Sequence, residues 1–193
     1  MLILASGSPR RKEILKKLGF EFKTEKTNAD ESVPDNMPVA QIAEHLARVK
    51  AETSLKHNKA DTIIGSDTIV VLDGSVLGKP QNEEDAKDML RALSGNTHKV
   101  YTGVCVASMS LTESFTVETD VTFGELSQEE IEWYVASGEP MDKAGAYGIQ
   151  GLGCRFVKSI NGDYYAVMGL PANKLYEVLN KFNLEGNICS QEI

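Results

Sequence analysis

Apolar positions recur in this chain with two periods, and the switches between them mark out its elements. Residues 2–5 form a short apolar run that predicts a buried strand. Ser6-Gly7-Ser8-Pro9 then turns it into a helix, with Ser8 as N-cap and Pro9 at the first helical position. Ile14, Leu15 and Leu18 share one face of that helix, and Gly19 stops it. Residues 24–35 read as a polar loop centred on Asp30 and Glu31. Pro38 opens a longer helix to about His57, with Ile42, Leu46 and Val49 on one face and Ala43 and Ala47 beside them. Residues 62–77 read as strand, a small-residue break at Gly65-Ser66, strand again, an Asp73-Gly74 turn, and a return strand.

Asn82 caps a further helix with acidic residues in its first turn, and Ser94-Gly95 ends it. Residues 98–108 and 115–123 predict strands, and Ser127 with Glu130 forms a capping box for a helix carrying Ile131, Tyr134 and Val135. Trp133 reads as a packing residue. The glycine-dense stretch 139–153 leaves no room for a regular element and predicts a tight loop that approaches a ligand closely. Residues 154–160 and 164–168 predict a hairpin across Asn161-Gly162, and Gly169-Leu170-Pro171 leads into the last helix. Residues 183–193 read as a frayed tail. This order of elements predicts a mixed α/β fold.

Composition narrows the function classes. The 193 residues hold 20 Lys plus Arg against 28 Asp plus Glu, a net charge of −8. An acidic balance argues against a general nucleic-acid binder, which needs a basic face. No run approaches the roughly 20 apolar residues of a membrane span, and no export signal is visible. Three cysteines without CxxC spacing suit reduced thiols in a cytoplasmic protein.

Within this acidic chain, Arg10 and Arg11 occupy the first turn of the first helix, the wrong sign for its dipole. A strand, a Gly/Ser turn, free backbone N–H groups and two guanidinium groups together point to an anion site. Asp67, set in an apolar β segment, needs a hydrogen bond, a cation or a metal. Its role stays open between tying down the Gly65-Ser66 turn and catalysis. Lys50 lies at the margin of its helix's apolar stripe, so the pattern does not choose between snorkelling and reaching into a cleft. Glu31 is a metal-ligand candidate by spacing alone, and His45 and His57 read as surface residues.

Five phrases together resemble one family: Ser6-Gly7-Ser8-Pro9-Arg10-Arg11, Gly65-Ser66-Asp67-Thr68, Gly78-Lys79-Pro80, the run from Ser94 to Gly103, and the run from Glu139 to Gly151. In this order, up to about residue 182, they are similar to the Maf family of nucleoside triphosphate pyrophosphatases. The resemblance implies an elongated two-lobed α/β fold, a mixed sheet with flanking helices and a central cleft, similar to inosine triphosphate pyrophosphatases. It implies one domain across residues 1–193, a cytoplasmic homodimer, and a divalent metal cofactor, Mg²⁺ or Mn²⁺. The Ala-Gly-Ala-Tyr-Gly-Ile-Gln-Gly phrase resembles the subfamily acting on dTTP and UTP. It implies Asp67 as the catalytic carboxylate, joined by Glu31 around the metal. Arg10, Thr68 and Gln150 would set substrate specificity, and Ser8, Arg11, Lys50 and Lys79 would bind phosphate. The expected reaction releases pyrophosphate from the triphosphate, with CTP and modified pyrimidine nucleotides as further candidate substrates. The alternative is a nucleotide-sensing regulator of cell division that acts by binding.

Overall fold

In the computed structural model, which describes residues 1–184, the enclosed residues Leu2–Leu4 form β1. This strand pairs in parallel with Phe22–Thr24 (β2) and with Thr62–Leu72 (β3). Parallel neighbours need a crossover, and helices supply both: Pro9–Lys17 (α1) and Val39–Leu55 (α2). The start of α1 is as predicted, with the Ser8 side chain accepting a hydrogen bond from the Arg11 backbone and Pro9 in the first turn. At Asp73-Gly74 β3 turns back into Ser75–Leu77 (β4), with φ of 49° and 79°, the two positive values a type I′ hairpin requires.

The chain continues through Glu83–Leu93 (α3), Thr97–Ala107 (β5), Thr112–Phe123 (β6), Gln128–Ala136 (α4), Val157–Asn161 (β7), Tyr164–Met168 (α5) and Ala172–Lys181 (α6). The sheet order is β2-β1-β3-β5-β6-β7, with β4 on β3. The expected mixed α/β sheet with flanking helices is therefore what forms. Among the described residues, no helix is long and apolar enough to cross a membrane.

Two compact units divide the chain. Among the described residues, the first takes 1–67, 102–116 and 169–184; the second takes 68–101 and 117–168. In the first, Ile3, Ala5, Ala47, Ala51, Ile63, Cys105 and Ala107 form a core of mostly small side chains. Burial pushes the Cys105 thiol up to about 11, so it stays protonated. In the second, the core is aromatic: Phe123 meets Tyr147 edge-on at 4.8 Å, and Tyr134 meets Phe156 edge-on at 5.0 Å.

Several expectations are corrected. Gly65-Ser66 does not break β3, which runs through both residues. The reason lies in α2: its fully buried face is Ala43, Leu46, Ala47, Ala51 and Ser54, whereas Ile42 and Val49 are only half-buried. Glycine in the strand admits the helix backbone, and alanine on the helix completes the fit. Residues 164–168 are helix rather than the second arm of a hairpin, because the Asp163 carboxylate caps them by accepting from the backbone N–H of Tyr165 and Ala166. β7 pairs with β6 instead. The stretch 139–153 does contain regular structure, the 3₁₀ turns Glu139–Asp142 and Ala144–Ala146, and Leu152–Phe156 begins within it. Short β2 has no counterpart in the sequence reading. Trp133 lies 46% exposed under the Arg155 guanidinium, 4.6 Å from its ring centroid, so it packs on the surface. Of the predicted tail, residues 185–193 lie outside the described residues.

Candidate functional site

The close approach of α2 to the sheet builds the first half of the site. A methyl group at Gly65 would stand 2.1 Å from the Ala47 carbonyl oxygen, and one at Gly103 would stand 2.2 Å from that of Ala43. Hydrogen at these two positions lets the helix rest on the strand backbones, and Lys50 on its flank then reaches β3. Lys50 Nζ lies 2.5 Å from Asp67 Oδ1 and 3.3 Å from Glu31 Oε2. The Lys50 and Asp67 side chains are largely enclosed, and that of Glu31 is half exposed. The open reading of Lys50 is thereby decided, since it reaches inward to the two carboxylates. Glu31 is delivered by its loop, where Asp30 Oδ1 accepts from the Ser32 N–H at 3.0 Å. His45, read from the sequence as a plain surface residue, fastens that loop through a ring nitrogen 3.2 Å from the Ser32 carbonyl.

Arg11 forms the second half. Its Nε donates to the Gly169 carbonyl at 2.8 Å and its Nη1 to Ser6 Oγ at 3.2 Å. The enclosed Ser66 hydroxyl donates to the same Gly169 carbonyl at 3.0 Å. Gly169 has φ 110°, a conformation that costs glycine little, and this aims its carbonyl at both donors. Burial lowers the Arg11 pKa; the charges of Asp67 and Glu31 raise it and that of Arg10 lowers it further. Arginine nevertheless stays charged. Ser8 caps the same helix end, with its own N–H bonded to Ser6 Oγ.

Arg10, half-buried in the first turn of α1, also belongs to the first unit, and the other predicted residues belong to the second. Thr68 follows Asp67 on β3 and is half-buried, Lys79 is exposed just beyond β4, and Gln150 is exposed between the 3₁₀ turns Ala144–Ala146 and Leu152–Phe156. The Gly145 N–H donates to the Gly78 carbonyl at 3.0 Å, tying the segments that carry Lys79 and Gln150. Ser6, Ser66 and Gly169 have no role in the sequence reading, yet they hold Arg11. The available signal was a polar Ser66 beside Asp67 in an apolar strand, since an enclosed hydroxyl needs a partner.

Among the described residues, no group of three or more His, Cys, Asp or Glu converges as a ready-made metal site. The two carboxylates on Lys50 nevertheless supply hard oxygen donors, the type Mg²⁺ and Mn²⁺ take when phosphate and water complete the shell.

Fold and site together define an α/β protein that gathers an ammonium group, two carboxylates and a buried guanidinium at one end of a parallel βαβ arrangement. The chain matches the Maf-like protein family over residues 1–182 and belongs to that family. It is 48% identical over 184 residues to a dTTP/UTP pyrophosphatase of Bacillus cereus (strain AH820), covering 95% of this chain and 96% of that one. A protein of the same name from Bacillus anthracis is 47% identical over the same share of each. Among solved structures, the Ham1 protein of Staphylococcus aureus is similar in fold alone, with a TM-score of 0.54 and 14% identity over 94% of this chain and 98% of that one.

Proposed function

We propose that this protein hydrolyses the α,β phosphoanhydride bond of dTTP and UTP, releasing the nucleoside monophosphate and pyrophosphate. One observation carries the reading: Lys50 gathers Asp67 and Glu31 within 2.5 and 3.3 Å, and the charges of both act on Arg11. That arrangement suits a polyphosphate, which needs fixed cations, together with a carboxylate for the water that attacks it. The relatives' name supplies the base preference.

Water attacks the α-phosphorus, a P–O bond forms, the bond to the β-phosphoryl oxygen breaks, and pyrophosphate leaves. Asp67 takes the proton of the attacking water. Arg10, Arg11 and Lys79, with the Ser8 cap, stabilise the charge on the departing pyrophosphate. Lys50 holds Asp67 in place, and contacts phosphate as substrate enters. Gln150 offers its amide edge to the N3–H and O4 of thymine or uracil, with Arg10 and Thr68 completing selection. CTP and modified pyrimidine nucleotides present a related edge and are included in the substrate range. Glu31 and Asp67 would hold Mg²⁺ or Mn²⁺, which when bound would offset phosphate charge and polarise the α-phosphoryl group. The chain works as a cytoplasmic homodimer, a reading supported by the family resemblance alone.

The test is pyrophosphate release by wild type and Asp67→Asn on dTTP, UTP and CTP, with Mg²⁺ or with chelator. The expected result is turnover that chelation abolishes, and a loss of about 10² to 10⁴ in kcat for the variant with nucleotide binding retained. Unchanged turnover by Asp67→Asn would remove that residue from the chemistry.

A further inference from the structure

The loop that carries Gln150 is tied to one carboxylate. Glu139 Oε1 accepts from the Tyr134 hydroxyl at 2.9 Å and from the Gly153 N–H at 3.2 Å, while Oε2 accepts from the Leu152 N–H at 2.8 Å. The Tyr134 oxygen in turn accepts from the Gly148 N–H at 3.2 Å. Backbone groups on both sides of Gln150 therefore end on a single Tyr134–Glu139 pair. Tyr134 is fully enclosed in the aromatic core, so the pair is anchored from behind.

The glycines of the loop fit this clamp. A methyl at Gly151 would stand 2.3 Å from Glu139 Oε2, and one at Gly153 would stand 2.8 Å from the Tyr134 oxygen. Neither glycine has a positive φ among the backbone outliers, so close approach is what requires them. Burial by itself would raise the Glu139 pKa, but the two backbone N–H groups, the tyrosine hydroxyl and the Lys143 charge outweigh it and hold the carboxyl below its usual range. The acceptor is thus ionised, the form in which it can take three hydrogen bonds.

We infer that Glu139, braced by Tyr134, is a positioning residue for base selection: it fixes the backbone of residues 148–153 and so presents the Gln150 amide to the base at one angle. This rests on the proposed pyrimidine nucleotide activity and on the role given there to Gln150. A hydrogen-bonding pair discriminates only while its geometry is held, and a loop of this glycine content does not hold itself.

The experiment is a double-mutant cycle of Glu139→Gln with Gln150→Ala, read by steady-state kinetics on UTP and dTTP and by inhibition with inorganic tripolyphosphate, which has no base. In Glu139→Gln the amide nitrogen cannot accept, so at least one tether is lost. The expected result is a rise in KM of about tenfold with kcat changed less than about threefold and tripolyphosphate inhibition unchanged; in the Gln150→Ala background the same change has no further effect on KM. Tyr134→Phe keeps the core ring while removing the hydroxyl, and is expected to show the same pattern should Glu139→Gln fold poorly. Equal KM effects with and without Gln150, or a parallel loss of tripolyphosphate inhibition, would overturn the inference while leaving the activity intact. No turnover of UTP or dTTP by wild type, or no KM effect of Gln150→Ala, would overturn the reading beneath it as well.

Discussion

Two N–H groups of Arg11 point at oxygens that the chain itself supplies, Gly169 O and Ser6 Oγ, and these fix the plane of the guanidinium. A lysine at this position keeps the charge but has neither the fork nor the plane. Arg11→Lys is therefore expected to lower kcat/KM for nucleoside triphosphates by about ten- to a hundredfold, chiefly through KM, with a thermal midpoint near that of wild type. Steady-state kinetics with a thermal melt measures both. Kinetics like those of the wild type would show that charge alone suffices. The residues of this site were legible to different depths. Arg10 and Arg11 stood out because they oppose a helix dipole, and Asp67 because it interrupts an apolar run. Ser66 and Gly169 did not, since a small polar residue in a strand and a glycine leading into a helix have many ordinary uses, and only their meeting across 103 residues shows what they do.

At the scale of elements, α2 is the part whose placement the site depends on. The sequence marks its start and its approximate end, and Leu46 with Ala43 and Ala47 does face inward, but Ile42 and Val49 of the apolar stripe are only half-buried. Alanines take the positions against Gly65 and Gly103 because the helix backbone there comes too close to the strands for a larger side chain, and periodicity does not record distance. Similarly, Asn161-Gly162 suggests a hairpin turn, whereas the Asp163 that follows starts a helix, and an aspartate that starts a helix and one that forms a turn look the same in sequence. Gly65→Ala is expected to push α2 off β3, destabilising the protein by at least about 2 kcal/mol in urea unfolding, the range for overpacked cores. Turnover should fall even where the variant remains folded, because Lys50 moves with the helix. A variant with native stability and activity would show that the contact yields without consequence.

For the whole molecule, pH acts through the second unit's core. His98 is enclosed, with Nε2 2.8 Å from the Tyr147 hydroxyl and Nδ1 without a hydrogen-bond partner among the described residues. Burial lowers its pKa to about 4 from an ordinary 6.5. Between these values the unfolded chain binds a proton that the folded one does not, so stability is fully present above about pH 6.5 and falls as pH drops toward 4. From pH 7 to pH 5 this group alone is expected to remove about 2 kcal/mol from the unfolding free energy. Urea titrations at the two pH values would measure it, and His98→Gln should lose less than wild type over the same interval; an equal loss would assign the acid sensitivity elsewhere.

Gly65 and Gly103 leave a practical lesson for anyone altering this enzyme. A saturation library would find both as intolerant as the aspartate, although neither carries a charge. Searches for new specificity have most latitude at the exposed Gln150 itself, and least where the only admissible side chain is a hydrogen atom, as at Gly65, Gly103, Gly151 and Gly153.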